Sequence, residues 1–327
     1  MVARFVLANL LPSILAGALA WGVIRLMYRF LPVRDARRRL ALYGIPLLKS
    51  ALVLLGVGLV LPWPPIFAWW RAAAVPWHLA IPSALIWAGF TLILQDAYRR
   101  RAYETVLEGA RPARLDFPEV DEVLDEVIEL YQSTTPWRRR VPYPFGGDAG
   151  RIPEVLPVLS SDKIDVPLVL TDPTSQAVLL PSSFAPHLTR DQLKSIIAHE
   201  VAHLVISRPH IASATWWTLL TPISPIAIFL AEDIQREEER ACDAMAAAVL
   251  GDRETYAEAL VKAFRLIKAP AKRPVPAAAL VPQLTGRQPA ISERVEALVR
   301  DRSAVDVPWT QALMSYIVWL ASWVVLF

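Results

Sequence analysis

The stretch LTRDQLKSIIAHEVAHLVI, residues 188–206, decides the fold of this chain. Its apolar spacing predicts a helix, and Thr189 and Gln192 form a capping-box pair at the start of that helix. His199 and His203 lie four positions apart, so both imidazoles are on one helical face and can contact the same ion. The stretch therefore predicts a helix that presents two nitrogen ligands to a metal site.

The glutamate beside the first histidine extends the metal-site pattern. Zn²⁺ held by neutral imidazoles lowers the pKa of a bound water towards about 7, and the carboxylate of Glu200 can then accept the proton. Such a site needs a third protein ligand and one position left open for water. The alternative is a pair of histidines on a core or surface helix that bind no metal.

A third ligand is expected in the stretch ERACDAMAAAVL, residues 239–250, which predicts another helix. Glu239 and Asp243 are four positions apart and share a face of that helix. Glu239 can ligate zinc, while Asp243 can hydrogen-bond the far nitrogen of a ligating histidine and fix its tautomer. Cys242 is expected to be a small buried residue. A polar helix face shared with the neighbouring glutamates is the alternative interpretation.

The composition indicates a membrane protein. Apolar residues make up 54% of the chain and charged residues only 20%, and the apolar excess is concentrated in blocks. Blocks of about 20 apolar residues predict spanning helices. Four such helices are predicted, at residues 5–28, 45–61, 75–95 and 307–327. A cleaved signal peptide is the alternative for the first block, but the arginines directly after it oppose export.

The positions of the basic residues predict the orientation of the spans. Arginines cluster at 25–39 and at 99–101, whereas the loop between the second and third predicted spans contains Arg71 as its basic residue. Residues 98–306 are therefore expected to face the cytoplasm, where the single Cys242 stays reduced. A net charge of +3 gives no indication of nucleic-acid binding.

The segment between the third and fourth predicted spans combines helices with a small strand element. FPEVDEVLDEVIELYQ, residues 117–132, has helical apolar spacing, with Pro118 placed to start the helix. Residues 166–170 and 177–180 are typical of two short strands around a polar turn. The fold class is a mainly α, multi-span membrane protein with a cytoplasmic α+β domain. The predicted organisation is three N-terminal spans in 1–97, the cytoplasmic domain in 98–306 and a C-terminal span in 307–327.

The combination of HExxH and a later E-x-x-x-D resembles the gluzincin metallopeptidases. Residues 166–204 resemble the zinc-protease domain of the beta-lactam-sensing antirepressor membrane proteins (the BlaR and MecR type), and ERACD at 239–243 resembles their E-x-x-C-D helix. The resemblance implies a zincin-like protease domain. The roles that it implies are zinc ligand for His199, His203 and Glu239, catalytic base and acid for Glu200, and partner of a ligating histidine for Asp243.

A further stretch, GRQPAISERVEAL at 286–298, resembles a motif of the related HtpX and CAAX-endopeptidase type. In that type a histidine is thought to stabilise the transition state, and an arginine follows it. Gln288 stands at the position of the histidine and Arg294 at that of the arginine. Whether Gln288 or Arg294 stabilises the oxyanion stays open, and a structural helix start is the alternative.

An apolar stretch, residues 211–231, separates the predicted ligands. As a helix, its 21 residues would rise about 31 Å, enough to cross a bilayer core once. A single crossing would put Glu239 and His203 on opposite sides, so the two could not share an ion. Pro222 and Pro225 disfavour an uninterrupted helix. We therefore expect a kinked, membrane-facing or re-entrant element.

Together these features predict a multi-pass zinc endopeptidase of the inner (cytoplasmic) membrane that cleaves a protein or peptide at the cytoplasmic face. Its expected partners are the lipid bilayer, a protein substrate and a separate sensor or repressor protein, because no penicillin-binding sensor domain follows the fourth predicted span. Three alternatives stay open: an antirepressor-like signal-transduction module, a membrane-protein quality-control protease and a catalytically inactive scaffold.

Overall fold

The chain is mostly helical in its structure, a computed structural model. The structure describes residues 9–30, 42–54, 104–133, 155–171, 176–220, 226–267 and 291–300, with isolated positions between and after these ranges. The helices in this described part are α1 Leu11–Phe30, α2 Gly44–Leu54, α3 Val120–Ser133, α4 Arg190–Leu220, α5 Ile226–Leu250, α6 Arg253–Leu266 and α7 Ile291–Arg300. The strands are β1 Arg111–Pro112, β2 Val158–Ser161, β3 Leu168–Thr171 and β4 Gln176–Pro181. Short 3₁₀ helices occupy Ala113–Leu115 and Ser182–His187.

The chain divides into two compact units. The first comprises Met1–Asp96, Ser213–Glu237 and Val307–Phe327, and the second comprises Ala97–Ala212 and Glu238–Asp306. Helices α4 and α5 each contribute residues to both units.

The first unit contains α1, which is long and apolar enough to cross a membrane. That criterion is one of length and composition, and a buried core helix or a signal sequence also meets it. The second predicted span is helical from Gly44 to Leu54, and its remainder to residue 61 lies outside the described residues. The spans at 75–95 and 307–327 lie almost entirely outside the described residues, so they stay predictions.

Helix α1 buries small side chains and exposes large apolar ones. Ser13, Ala16, Gly17 and Ala20 are buried. Leucines occupy the exposed face, at Leu11, Leu15, Leu19 and Leu26. Small residues at a helix contact let neighbouring backbones approach closely, which is how helices associate where lipid removes the hydrophobic driving force.

Neighbouring helices come close to α1 at Gly17. A Cβ atom built there would lie 3.0 Å from Ile226 Cγ2, 3.1 Å from Ser50 Cβ and 3.2 Å from the Pro46 carbonyl oxygen. The position therefore leaves no room for a side chain without movement of α2 or of the first turn of α5.

Hydrogen bonds and ion pairs also join α1 to α5. The buried Asp233 carboxylate on α5 accepts hydrogen bonds from Arg25 Nε and Nη2, at 3.0 and 2.8 Å, and from Trp21 Nε1 at 2.9 Å. Arg236 Nη1 donates a further bond at 3.0 Å. A buried carboxylate is costly unless its lone pairs are filled, and these donors fill them.

The second unit is built on a four-stranded sheet with the strand order β1-β2-β4-β3. β2 and β4 are parallel, whereas β3 and β4 are antiparallel with Leu168 opposite Leu179. The two strands predicted at 166–170 and 177–180 are confirmed within two residues as β3 and β4. Leu168 and Leu170 pack with Ala177 and Leu179 in one buried cluster. β3 is an edge strand of the sheet.

The predicted helices of the second unit are also confirmed. α3 begins two residues after Pro118 and buries Val120, Val123 and Val127. At the start of α4, Gln192 N donates to Thr189 Oγ1 at 3.3 Å and Thr189 N donates to Gln192 Oε1 at 3.2 Å, which is the predicted capping box.

The apolar stretch between the predicted ligands is helical at both ends. α4 continues to Leu220 and α5 begins at Ile226. Residues 221–225, with Pro222 and Pro225, lie outside the described residues. The membrane-facing or re-entrant element at 211–231 therefore stays a prediction.

We expect Gly17→Leu to destabilise the protein by about 1–3 kcal/mol, because the new side chain overpacks the contact with Ile226 and Ser50. Gly22→Leu, on the same helix, is the matched control, since a Cβ atom at Gly22 meets no atom of the described residues within 4 Å. Thermal unfolding of both variants in the same detergent measures the difference. Equal melting temperatures for the two variants would contradict the close packing at Gly17.

Candidate metal centre

Two helices of the second unit carry the predicted ligands. His199 and His203 are one turn apart on α4, and Glu239 is on α5. The phenol of Tyr131 on α3 donates to the carbonyl oxygen of Ala198 at 2.8 Å, which fixes α4 directly before the first histidine. His199, His203 and Glu239 are all at most 9% exposed.

The three predicted ligands converge. His199 Nε2 lies 3.2 Å from His203 Nε2. Glu239 Oε2 is 3.4 Å from His199 Nε2, and Glu239 Oε1 is 3.6 Å from His203 Nε2. Donors about 2.0 Å from one tetrahedral zinc would be separated by about 3.3 Å. The cluster is therefore compatible with a metal site.

The charges around the cluster also fit a divalent cation. The carboxyls of Glu200, Glu239 and Asp243 and the guanidinium of Arg294 are buried together. With all three carboxyls ionised and both imidazoles neutral, as metal ligands are, one guanidinium leaves two negative charges uncompensated. Buried charges are stable when they are paired or bind a metal, and a doubly charged cation neutralises this set.

Each histidine has a different partner on its far side. His199 Nδ1 lies 3.0 Å from the Tyr256 hydroxyl and 3.2 Å from Asp243 Oδ1. His203 Nδ1 lies 3.2 Å from Cys242 Sγ. The Asp243 carboxylate thus stands where a partner of a ligating histidine is expected.

Arg294 on α7 bridges Glu239 and Asp243, which both belong to α5. Its Nε and Nη2 donate to the two carboxylate oxygens of Asp243 at 2.7 and 2.6 Å. Its Nη1 lies 3.0 Å from Glu239 Oε2. Arg294 therefore contacts the predicted ligand Glu239 and also Asp243, the partner of the predicted ligand His199.

These contacts shift the pKa values of the site. Burial alone would raise the pKa of the Glu239 carboxyl, but the Arg294 guanidinium, His199 and His203 together outweigh burial and lower this pKa to about 2. Burial alone would lower the pKa of His199, but Asp243 and Glu239 outweigh it and raise this pKa to about 10. Without a metal ion the His199 imidazole is therefore doubly protonated, and metal binding would displace one of its two protons.

Glu200 differs from the other acidic residues of the site. It is buried, and its Oε2 has no hydrogen-bond partner among the described residues. Burial raises the pKa of its carboxyl. A carboxyl with an open oxygen and a raised pKa beside the ligand cluster is suited to exchanging protons with a water or a substrate.

A cavity that is open to solvent adjoins the cluster. Its polar lining includes the histidines, Glu200 and Glu239. Its apolar lining comes largely from α6, with Ala259, Leu260, Ala263 and Phe264, and Val166 and Pro167 before β3 also line it. The cavity therefore connects the candidate metal centre to the edge strand.

Some of the site could not be found from the sequence. Tyr256 and the contact of Cys242 with His203 were missed, because no motif marks the tyrosine and a cysteine beside an acidic residue has no fixed role. Arg294 was considered for the oxyanion, and the structure places it against Asp243 and Glu239 instead. Gln288 lies outside the described residues, so its role stays a prediction.

The fold and the site have the features of a candidate metallopeptidase. Residues 150–298 match the model of the family described as BlaR1 peptidase M56. The match includes β2 to β4, α4 to α6 and most of α7, and it supports a membrane metallopeptidase of the BlaR1 type. No curated protein matches the chain.

We expect Arg294→Gln to destabilise the protein by about 3–5 kcal/mol, because it leaves two buried carboxylates without their cation. Arg190→Gln, which removes a partly exposed pair with Glu126, should cost less than about 1 kcal/mol. Thermal or denaturant unfolding of the metal-free proteins measures both. Similar small losses for both variants would show that Arg294 does not compensate the buried charges.

Proposed function

We propose that the protein is an integral-membrane zinc endopeptidase that cleaves a protein at the cytoplasmic face of the membrane. The observation that carries the proposal is the convergence of His199, His203 and Glu239 beside the open oxygen of Glu200, within a cavity. Two imidazoles and one carboxylate with a position left free are the ligand set of catalytic rather than structural zinc sites. The match to a peptidase family model supports the same reaction.

The residues of the site have distinct roles in the proposed reaction. His199, His203 and Glu239 would hold Zn²⁺, which when bound supplies Lewis-acid activation of water and carbonyl groups. Glu200 Oε2 accepts the proton of the attacking water and delivers it to the leaving amine nitrogen. The raised pKa of Glu200 favours the first of these transfers, since a more basic carboxylate accepts a proton more readily.

The sheet offers a surface for an extended substrate. Among the described residues, β3 pairs with β4 on one side and has no partner strand on the other. Val166 and Pro167, directly before β3, line the cavity. An extended peptide that adds to this edge would pass the candidate metal centre, with backbone hydrogen bonds supplying affinity.

The membrane location supports a substrate near the bilayer. The apolar helix α1 and the membrane metallopeptidase match support membrane association. The arginine clusters support a cytoplasmic site, with a bilayer-associated substrate, sensor or repressor protein as partner.

A signal-transduction module is the second candidate function, because the family description names BlaR1. In that case partner-driven transduction would matter more than turnover. His199→Ala separates the two candidates: a protease loses its effect on a downstream protein with the metal, whereas a pure transducer keeps it.

We expect Glu200→Gln to keep about one zinc per chain and to lose proteolysis, because the amide cannot accept a proton. His199→Ala should lose the metal as well. Elemental analysis of purified protein and cleavage of fluorescent casein provide the two readouts. Glu258→Gln, an exposed change on α6, is the control for both. Cleavage by Glu200→Gln at the unchanged rate would refute the proposed role.

We expect Ser224→Cys not to react with a membrane-impermeant thiol reagent added outside intact cells, because residues 211–231 must return to the side of His203. Arg71→Cys, in the loop predicted to lie outside, is the positive control. The labelled fraction on a gel measures both. Labelling of Ser224→Cys at the level of the control would contradict the proposed topology.

A further inference from the structure

Helix α6 brings a tyrosine to the candidate metal centre. Its start is fixed by Asp252, whose side chain accepts hydrogen bonds from Glu254 N and Thr255 N. Tyr256 follows in the first turn of α6 and is 2% exposed. The position of its hydroxyl is therefore set both by the helix cap and by the packing around its ring.

The Tyr256 hydroxyl lies between two residues of the site. It donates to Asp243 Oδ1 at 2.7 Å, and its oxygen lies 3.0 Å from His199 Nδ1. A phenol has a single O–H proton, and Tyr256 donates it in the hydrogen bond to Asp243. Towards His199 the phenol oxygen can therefore act as an acceptor alone.

The acceptors around Nδ1 determine the tautomer of His199. Its Nδ1 faces the phenol oxygen and a carboxylate that is bidentately paired with Arg294, and both are acceptors. The Nδ1 atom must therefore carry a proton. The lone pair of the neutral ring is then on Nε2, the atom that faces His203 and Glu239.

Tyr256 provides the shorter of the two contacts to His199. The distance from His199 Nδ1 is 3.0 Å to the phenol oxygen and 3.2 Å to Asp243 Oδ1. That carboxylate oxygen is also occupied by Arg294 Nη2 at 2.6 Å and by the phenol itself. Because Asp243 Oδ1 already accepts these two hydrogen bonds, it is a poorer acceptor for the imidazole than a carboxylate oxygen without other donors would be.

We propose that Tyr256 is a positioning residue for the candidate metal ligand His199, relaying the Asp243 carboxylate to His199 Nδ1 and holding Nε2 towards the cation. This inference rests on the proposed function. Partners of metal-bound histidines fix ring orientation and raise ligand basicity, and their loss typically costs about 10–100-fold in metal affinity.

Tyr256→Phe tests the relay, because it removes the hydroxyl and keeps the ring. We expect zinc affinity, measured by competition with a chelating dye on the full-length protein in detergent, to fall at least about tenfold. The visible absorption bands of the Co²⁺-loaded protein should also shift, since the orientation and basicity of one ligand change. A purely structural tyrosine would leave these bands in place.

Tyr28→Phe on α1 is the matched control. It also removes a phenol hydroxyl and keeps the ring, and this hydroxyl donates to the Arg39 carbonyl oxygen at 3.2 Å rather than to a residue of the candidate metal centre. We expect it to lower the melting temperature without changing zinc affinity or the Co²⁺ spectrum. A zinc affinity of Tyr256→Phe within twofold of the unsubstituted protein, or an equal loss in both variants, would overturn the relay.

Asp252→Ala tests the same contact in a second way. It removes the cap of the turn that carries Tyr256, while the tyrosine keeps its hydroxyl group. Zinc affinity should fall when the hydroxyl is present and stay unchanged in a Tyr256→Phe background. An equal fall in both backgrounds would overturn the role of the hydroxyl. If the unsubstituted protein itself binds no zinc, the proposed function fails and the relay fails with it.

Discussion

The three donor atoms of His199, His203 and Glu239 meet in a buried site, and much of the second unit serves to hold them there. The two histidines share a face because they are one helical turn apart, which the helix alone guarantees. Glu239 comes from another helix, so its approach depends on tertiary packing. Several contacts fix the helices that carry the ligands. The capping box fixes the start of α4, the Tyr131 bond to Ala198 links α3 to α4, and Arg294 links α7 to Glu239 on α5.

The same constraint explains the polar residues around the cluster. Burying three carboxyls in a small volume is unfavourable unless cations accompany them. Arg294 compensates part of that charge through Asp243 and Glu239, and the remainder matches a divalent ion. The two imidazoles have different partners at Nδ1. His199 faces a hydroxyl and a carboxylate, and His203 faces the Cys242 sulfur at 3.2 Å and the Glu238 carboxylate at 3.8 Å. Each ring therefore has a carboxylate near the nitrogen that points away from the ligand cluster, and such partners raise ligand basicity.

The sequence predicts those parts of the structure that depend on local spacing. The capping box, the shared face of His199 and His203, α3 and the strands β3 and β4 all follow from neighbours within a few residues. β1, at two residues, is too short to show an apolar period. β2 has the sequence VLSS, and its two serines leave no apolar alternation to recognise. The approach of Tyr256 and Cys242 to the histidines depends on how separate helices pack, and no spacing encodes that. Glu239 was found through resemblance and through the need for a third ligand.

The convergence of the ligands also constrains the apolar stretch between them. α4 carries His203 and continues to Leu220, while α5 begins at Ile226 and carries Glu239. A cation cannot be shared across about 30 Å of hydrocarbon, so the chain cannot cross the bilayer once between these residues. Two crossings would need about 40 residues, more than 211–231 provides. Under the proposed function the apolar stretch is therefore predicted to leave and return on one side of the membrane, and a metal centre with such a stretch between its ligands is suited to substrates at a membrane surface.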